Sequence, residues 1–172
     1  MDAYQFSHVS DLTEILPDYK GYSQPNEGLQ SDKIFREYVY TRLMKCRRSC
    51  QNTVLKFIEN KKIEDIKGME DIGSRMLELA VSVKELNYDA SSLFNNDNIR
   101  PEIMESLCSH DLNIIEFANE MYQSIRRFSK EVLSDELLDD GDYHSFFYYL
   151  DDLVDDFKLV MIMRDYLIVE CN

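Results

Sequence analysis

Apolar residues recur at steps of three and four along four stretches of the chain, and nowhere do apolar and polar residues alternate over strand length. Between Asp32 and Asn60 the stripe is Ile34, Phe35, Tyr38, Val39, Leu43, Cys46, Cys50, Val54, Phe57 and Ile58. This predicts a long amphipathic helix with Ser31 as its N-cap, stopped by Asn60-Lys61-Lys62 and Gly68. A second helix is expected over Met69–Leu86, on Ile72, Met76, Leu79, Ala80, Val83 and Leu86. Asn95-Asn96-Asp97-Asn98 reads as a turn, and Pro101 suits the first turn of a third helix reaching Leu133. Asp139-Asp140-Gly141-Asp142 reads as the last break, with Asp142 capping a helix to Val169 on Phe146, Phe147, Leu150, Leu153, Val154, Phe157, Met161 and Ile168.

Residues 1–30 differ from the rest, since Pro17, Gly21, Pro25 and Gly28 fall there among polar residues. They predict an irregular arm, with a short helical turn at Val9–Leu16 whose apolar face can dock on the helices. The expected architecture is all-α: a single-domain antiparallel four-helix bundle over 31–172 behind the 1–30 arm.

A chain of 172 residues is long enough to bury roughly 70% of its unfolded surface around one core. The net charge of −14 argues against a nucleic-acid partner, because phosphate contacts need a surplus of Lys and Arg. No apolar run reaches membrane-span length, and Met1–Pro17 lacks the pattern of a secretory signal. Cys46 and Cys50 at i,i+4 have poor disulfide geometry, and reduced thiols suit a cytoplasmic compartment. Charge is unevenly spread. Residues 31–67 hold 10 basic and 5 acidic side chains, whereas 135–172 hold 11 acidic and 2 basic. The first and last helices are therefore expected to be neighbours with attracting faces, or the acidic helix to serve a basic partner or cations.

Several chemistries are excluded by spacing. None of His8, His110 and His144 follows a Glu by three, as a di-iron bundle requires. The Asp135–Asp142 segment has an apolar third position and no Glu at the twelfth, unlike a calcium loop. Cys108 and His110 at i,i+2 face apart on a helix. Cys46 has cationic neighbours in Arg42, Lys45, Arg47 and Arg48, but its stripe position reads as a buried small hydrophobe. There is no Gly-rich phosphate loop. The same four basic residues form a candidate anion patch, more simply a solvated face.

Paired carboxylates remain: Asp151/Asp155, Asp152/Asp156 and Glu116/Glu120, each at i,i+4. Hard oxygen ligands on facing helices can hold a divalent or ferric ion. The run Ile115-Glu116-Phe117-Ala118-Asn119-Glu120, with Tyr149-Leu150-Asp151-Asp152-Leu153-Val154-Asp155 further on, resembles the PhoU-like phosphate-uptake regulator family. That family carries a Glu-x-x-Ala-Asp-like motif and a later Leu-Asp-Asp-hydrophobic-hydrophobic-Asp motif. The likeness covers the last 60 or so residues, and Asn119-Glu120 stands where the family has Ala-Asp. It implies a helical bundle with a carboxylate metal site at Glu116, Glu120, Asp151, Asp152 and Asp155 and a regulatory role.

From the residues themselves the leading expectation is a non-enzymatic protein, regulatory or adaptor, that engages another protein and needs no cofactor. The PhoU-like metal-binding regulator is the alternative. An enzyme whose site carries no recognisable motif is the third.

Overall fold

The computed structural model describes residues 7–86, 100–133 and 140–170. They form five helices and, among the described residues, no strand: α1 (Ser7–Ile15), α2 (Pro25–Glu59), α3 (Ile63–Glu85), α4 (Pro101–Leu133) and α5 (Asp140–Glu170). The all-helical class read from periodicity stands. The turn expected at Asn95–Asn98 lies outside the described residues.

Several boundaries differ from expectation, each for a local reason. α2 begins at Pro25, seven residues before Asp32, because Gln24 is extended and Pro25 supplies a pre-set φ where no amide donor is needed. Ser31 is thus no N-cap. It is buried inside α2, and its hydroxyl accepts the Lys20 amide at 3.0 Å, tying the preceding loop to the helix. The far end of α2 is closed by Lys61, whose φ of 57° places it in the left-handed region. Lys62 N–H then reaches Phe57 O at 2.9 Å and Lys61 N–H reaches Ile58 O at 3.2 Å, a Schellman closure. With the stop made there, α3 starts at Ile63 and runs straight through Gly68. A Cβ at Gly68 would lie 2.6 Å from Phe147 Cε2, so this glycine lets α5 approach α3 rather than breaking a helix. α5 likewise begins two residues before Asp142.

The segment expected as a loose arm is built into the core from residue 12 onward. Leu12, Leu16, Tyr19 and Tyr22 are all buried, and α1 packs against α4. Gly21, with φ of 76° and Val9 against it, bends the connection so that the phenols of Tyr19 and Tyr22 both turn inward.

The four long helices contact one another in a ring, α2–α3–α5–α4. Consecutive helices run antiparallel: Arg36 reaches the carbonyls of Lys84 and Leu86 while Cys50 meets Gly73, and Asp111 pairs with Arg164 while Phe128 stacks on Phe146. The two hairpins lie side by side in parallel, however. Tyr38 meets Asn119 and Phe57 meets Phe128, and likewise Gly68 meets Phe147 while Arg75 meets Asp151 and Asp155. The antiparallel relation expected throughout therefore holds within hairpins and not between them.

The packing expected between the basic first and acidic last helices does not form among the described residues. α2 and α5 are diagonal, with α3 and α4 between them, so the basic and acidic helices are not packed neighbours. Asp151 and Asp155 of α5 instead reach Arg75 of α3.

Candidate functional site

Three charged residues in apolar register on the core-facing stripes are wholly sealed from solvent. Asp32 lies between Gly28 and Phe35 on α2, Asp111 between Leu107 and Ile114 on α4, and Arg164 between Met161 and Ile168 on α5. All three side chains have no exposed surface and meet at one end of the molecule. Arg164 Nε donates to Asp111 Oδ1 at 2.5 Å, and Nη2 donates to Asp32 Oδ1 at 2.7 Å and to the Tyr22 hydroxyl at 2.9 Å. Tyr22 and Tyr19 donate to Asp111 Oδ2 at 2.5 and 2.8 Å. Arg36 Nε donates to Asp32 Oδ2 at 2.8 Å, and the Arg164 guanidinium lies 4.4 Å from the Phe35 ring centre.

This network joins the α1–α2 connection, α2, α4 and α5 through one guanidinium. Burial pushes the Asp111 carboxyl up, against the pull of Arg164 and the two phenols. It also raises both phenols well above their ordinary value, so they stay protonated as donors. The group is sealed from solvent, which suits it to setting the register of the helices rather than to meeting a substrate. No motif marks it. Its signal in the sequence is a lone charge at a stripe position in each of three helices.

The five candidate metal ligands are distributed otherwise than a metal site needs. Glu116 is exposed on α4, and Glu120 accepts the Tyr149 hydroxyl at 2.7 Å on the α4 side of α5. Asp151 and Asp155 sit on the other edge of α5, where they share Arg75; the Asp155 contact is 2.8 Å. Asp152 is exposed to solvent. The residues do not fit a bound ion, because an arginine already neutralises two of them and Glu116 and Glu120 lie across the helix. Among the described residues no three His, Cys, Asp or Glu side chains gather in a metal-holding group.

Cys46, Cys50 and Cys108 are buried free thiols, and Cys171 lies outside the described residues. Burial pushes Cys46 and Cys50 up to about 12, and the thiolate of one opposes that of the other at Cys46. Cys108, 3.6 Å from the Tyr19 hydroxyl, is raised to about 12 by burial as well. Cationic neighbours therefore do not activate Cys46. Arg42 turns into the α2–α4 interface, lying 5.1 Å from the ring centres of both Tyr38 and Tyr122, while Lys45 and Arg48 are exposed. His110 is held below its ordinary value by burial, and its Nδ1 is buried with no hydrogen-bond partner among the described residues.

These thiols give the protein an alkaline limit. A group whose value is higher in the folded state contributes full stability below its unfolded value, and that contribution is lost as pH rises through the folded value. Stability should hold from pH 7 to about 8.5 and then fall, by about 1.4 kcal/mol per pH unit for each buried thiol. Urea midpoints at pH 8, 9 and 10 measure this, and Cys46→Ala with Cys50→Ala should flatten the decline. A wild-type midpoint unchanged at pH 10 would contradict the burial of these thiols.

No family model matches the chain, and neither a curated protein nor a solved structure does. The surface itself must then carry the functional reading.

The outward side of α5 is the surface feature that packing leaves unexplained. Leu159, Ile162, Met163, Tyr166 and Val169 are all exposed, Ile162 at 65% and Tyr166 at 61%. They follow one another at helical spacing, opposite the buried stripe of Leu150, Val154, Phe157, Met161 and Ile168. Beside them a groove of about 220 Å³ runs between α3 and α5, lined by Leu79, Leu86, Met161 and Ile162. A larger open groove of about 730 Å³, between α2 and α3, mixes Arg47, Gln51, Glu70 and Ser74 with Leu55 and Leu77. Periodicity singles out only the inner stripe of the last helix, because a helix apolar on two sides shows weak amphipathicity. Among the described residues no helix is long and apolar enough to cross a membrane.

Proposed function

We propose that this chain is a non-enzymatic interaction protein, regulatory or adaptor in role, that engages another protein through the outward face of α5. The four long helices read as a bundle of two antiparallel hairpins that holds this face rigid. The observation that supports the reading is the second apolar stripe of α5. Isolated exposed apolar side chains are ordinary, but five at consecutive helical positions make a contiguous patch of the kind that marks a contact surface. The metal-binding regulator gains no support from the placement of the five carboxylates described above.

The test is site-specific photo-crosslinking in cells. A photoreactive amino acid at position 163 should give a discrete high-mass adduct with another protein, and one at position 116 on α4 should not. Equal labelling from both positions, or none from position 163, would sink the reading.

A further inference from the structure

Resting on that reading, we infer that the partner surface on α5 receives a basic amphipathic α-helix laid along it. From Tyr148 the outward positions advance by alternating steps of four and three, through Asp152 and Asp155 to Leu159, Ile162, Tyr166 and Val169. That is a heptad seam, the spacing with which one helix meets another along its length. Its two halves differ. The first half is acidic, with Asp152 and Asp156 exposed and in no ion pair among the described residues, and the second half is apolar.

Charge decides between possible occupants. A second copy of this chain laid parallel would place carboxylates on carboxylates. Laid antiparallel, it would bury Asp152 under Tyr166 and Val169, about two helical turns from the exposed Lys158, with no cation to meet it. The chain's net charge of −14 opposes self-association further, and opposes an anionic lipid surface equally. A helix with apolar residues over Leu159–Val169 and Lys or Arg over Asp152–Asp156 satisfies both halves. One of its apolar side chains would enter the groove between Leu79, Leu86 and Ile162, serving as anchor.

The probe is a fluorescein-labelled 21-residue helical peptide with Leu at the first and fourth heptad positions of one half and Lys at those positions of the other, followed by anisotropy as protein is added. Its twin carries Glu in place of Lys. The lysine peptide should bind in the micromolar range and the glutamate twin at least tenfold more weakly. Ile162→Glu should weaken binding at least tenfold. Asp152→Asn with Asp156→Asn should weaken it at least threefold at 0.15 M salt, with the difference shrinking at 0.5 M. Leu55→Glu, on an exposed apolar site of α2, should leave binding unchanged. These positions are exposed, so circular dichroism melts of the variants should match wild type. Equal binding of the two peptides, or no effect of Ile162→Glu, overturns the inference. So does a homodimer in sedimentation that Ile162→Glu dissolves, or binding to phosphatidylserine vesicles lost in the same variant. The dimer leaves α5 an interaction face with a different partner, whereas failure of the crosslink at position 163 removes the face itself.

Discussion

Arg164→Ala is expected to lower the unfolding free energy by about 3–5 kcal/mol, the range for removing one partner of a fully buried ion pair. Arg164 donates at once to Asp111, Asp32 and the Tyr22 hydroxyl, and all three of these side chains are buried, so solvent does not replace it. At about 2–4 °C per kcal/mol for a chain of this length, Tm should fall by roughly 10 °C. The loss should also depend on pH with a definite sign. Without the arginine, only the two phenols oppose the effect of burial on Asp111, and its carboxyl rises further. A raised carboxyl is stabilising below its unfolded value and is penalised as pH rises, so the variant should lose more stability at pH 7.5 than at pH 4.5. The triple substitution Arg164→Met, Asp111→Asn and Asp32→Asn should recover part of the deficit, since it removes the stranded charges. Urea titrations at the two pH values measure all of this. A loss below 1 kcal/mol for Arg164→Ala would show that the network is not closed to solvent.

The second large effect is expected at the other end of the helices. Phe128 of α4 is 2% exposed and sits where α2, α4 and α5 meet. Its ring stacks on Phe146 at 4.1 Å and meets Tyr143 and Phe57 edge-on at 5.4 and 6.4 Å. Phe128→Ala removes the shared member of these pairs and leaves a cavity, for a loss of about 3–5 kcal/mol. Phe128→Leu, which keeps most of the volume, should cost much less. Near-equal melts for the two variants would mean that the rings collapse onto the gap. The hydroxyl of Tyr143 accepts from Lys62 at 3.0 Å and its ring lies 4.6 Å from the ammonium, so this end is also closed by the turn that separates α2 from α3.

Helix content was largely legible because it rests on local periodicity. The stripes on α4 and α5 give buried residues almost position for position, whereas on α2 Phe35, Val39, Leu43, Cys46, Cys50 and Phe57 are buried, Ile34, Tyr38 and Val54 are half-buried and Ile58 is exposed. Where the reading failed, a distant partner had overruled a local signal. Gly68 looks like a helix stop in the sequence, yet its meaning comes from Phe147, nearly eighty residues away. Ser31 has the chemistry of an N-cap but serves as an acceptor for Lys20. Pro25 and Gly28 suggest an irregular arm by residue type, yet they occupy the first turn of α2, where proline is favoured and glycine tolerated.

The candidate sites divide in the same way. The aspartate pairs of α5 are conspicuous in the sequence as i,i+4 carboxylates, but their role depends on what faces them: Arg75 of α3 meets Asp151 and Asp155, while Asp152 and Asp156 face solvent. Asp32, Asp111 and Arg164 attract no notice as single charges, because nothing in a linear chain says that they converge. The outer stripe of α5 is written plainly at Leu159, Ile162, Tyr166 and Val169. It becomes a feature only once packing shows that the opposite side of the helix is already used for the core.

By itself the sequence determined that the protein is helical, which faces of its helices are apolar, and that its charge is strongly negative and concentrated in the last helix. These follow from the 3.6-residue period and from composition, which act over one or two turns. Tertiary structure alone decided that the hairpins lie side by side in parallel, that the basic and acidic helices stand on a diagonal, and that one arginine closes the core against two aspartates. Those outcomes depend on which apolar stripe meets which. The hydrophobic effect that drives burial has no direction of its own, so close packing and the matching of a few buried polar groups make the choice.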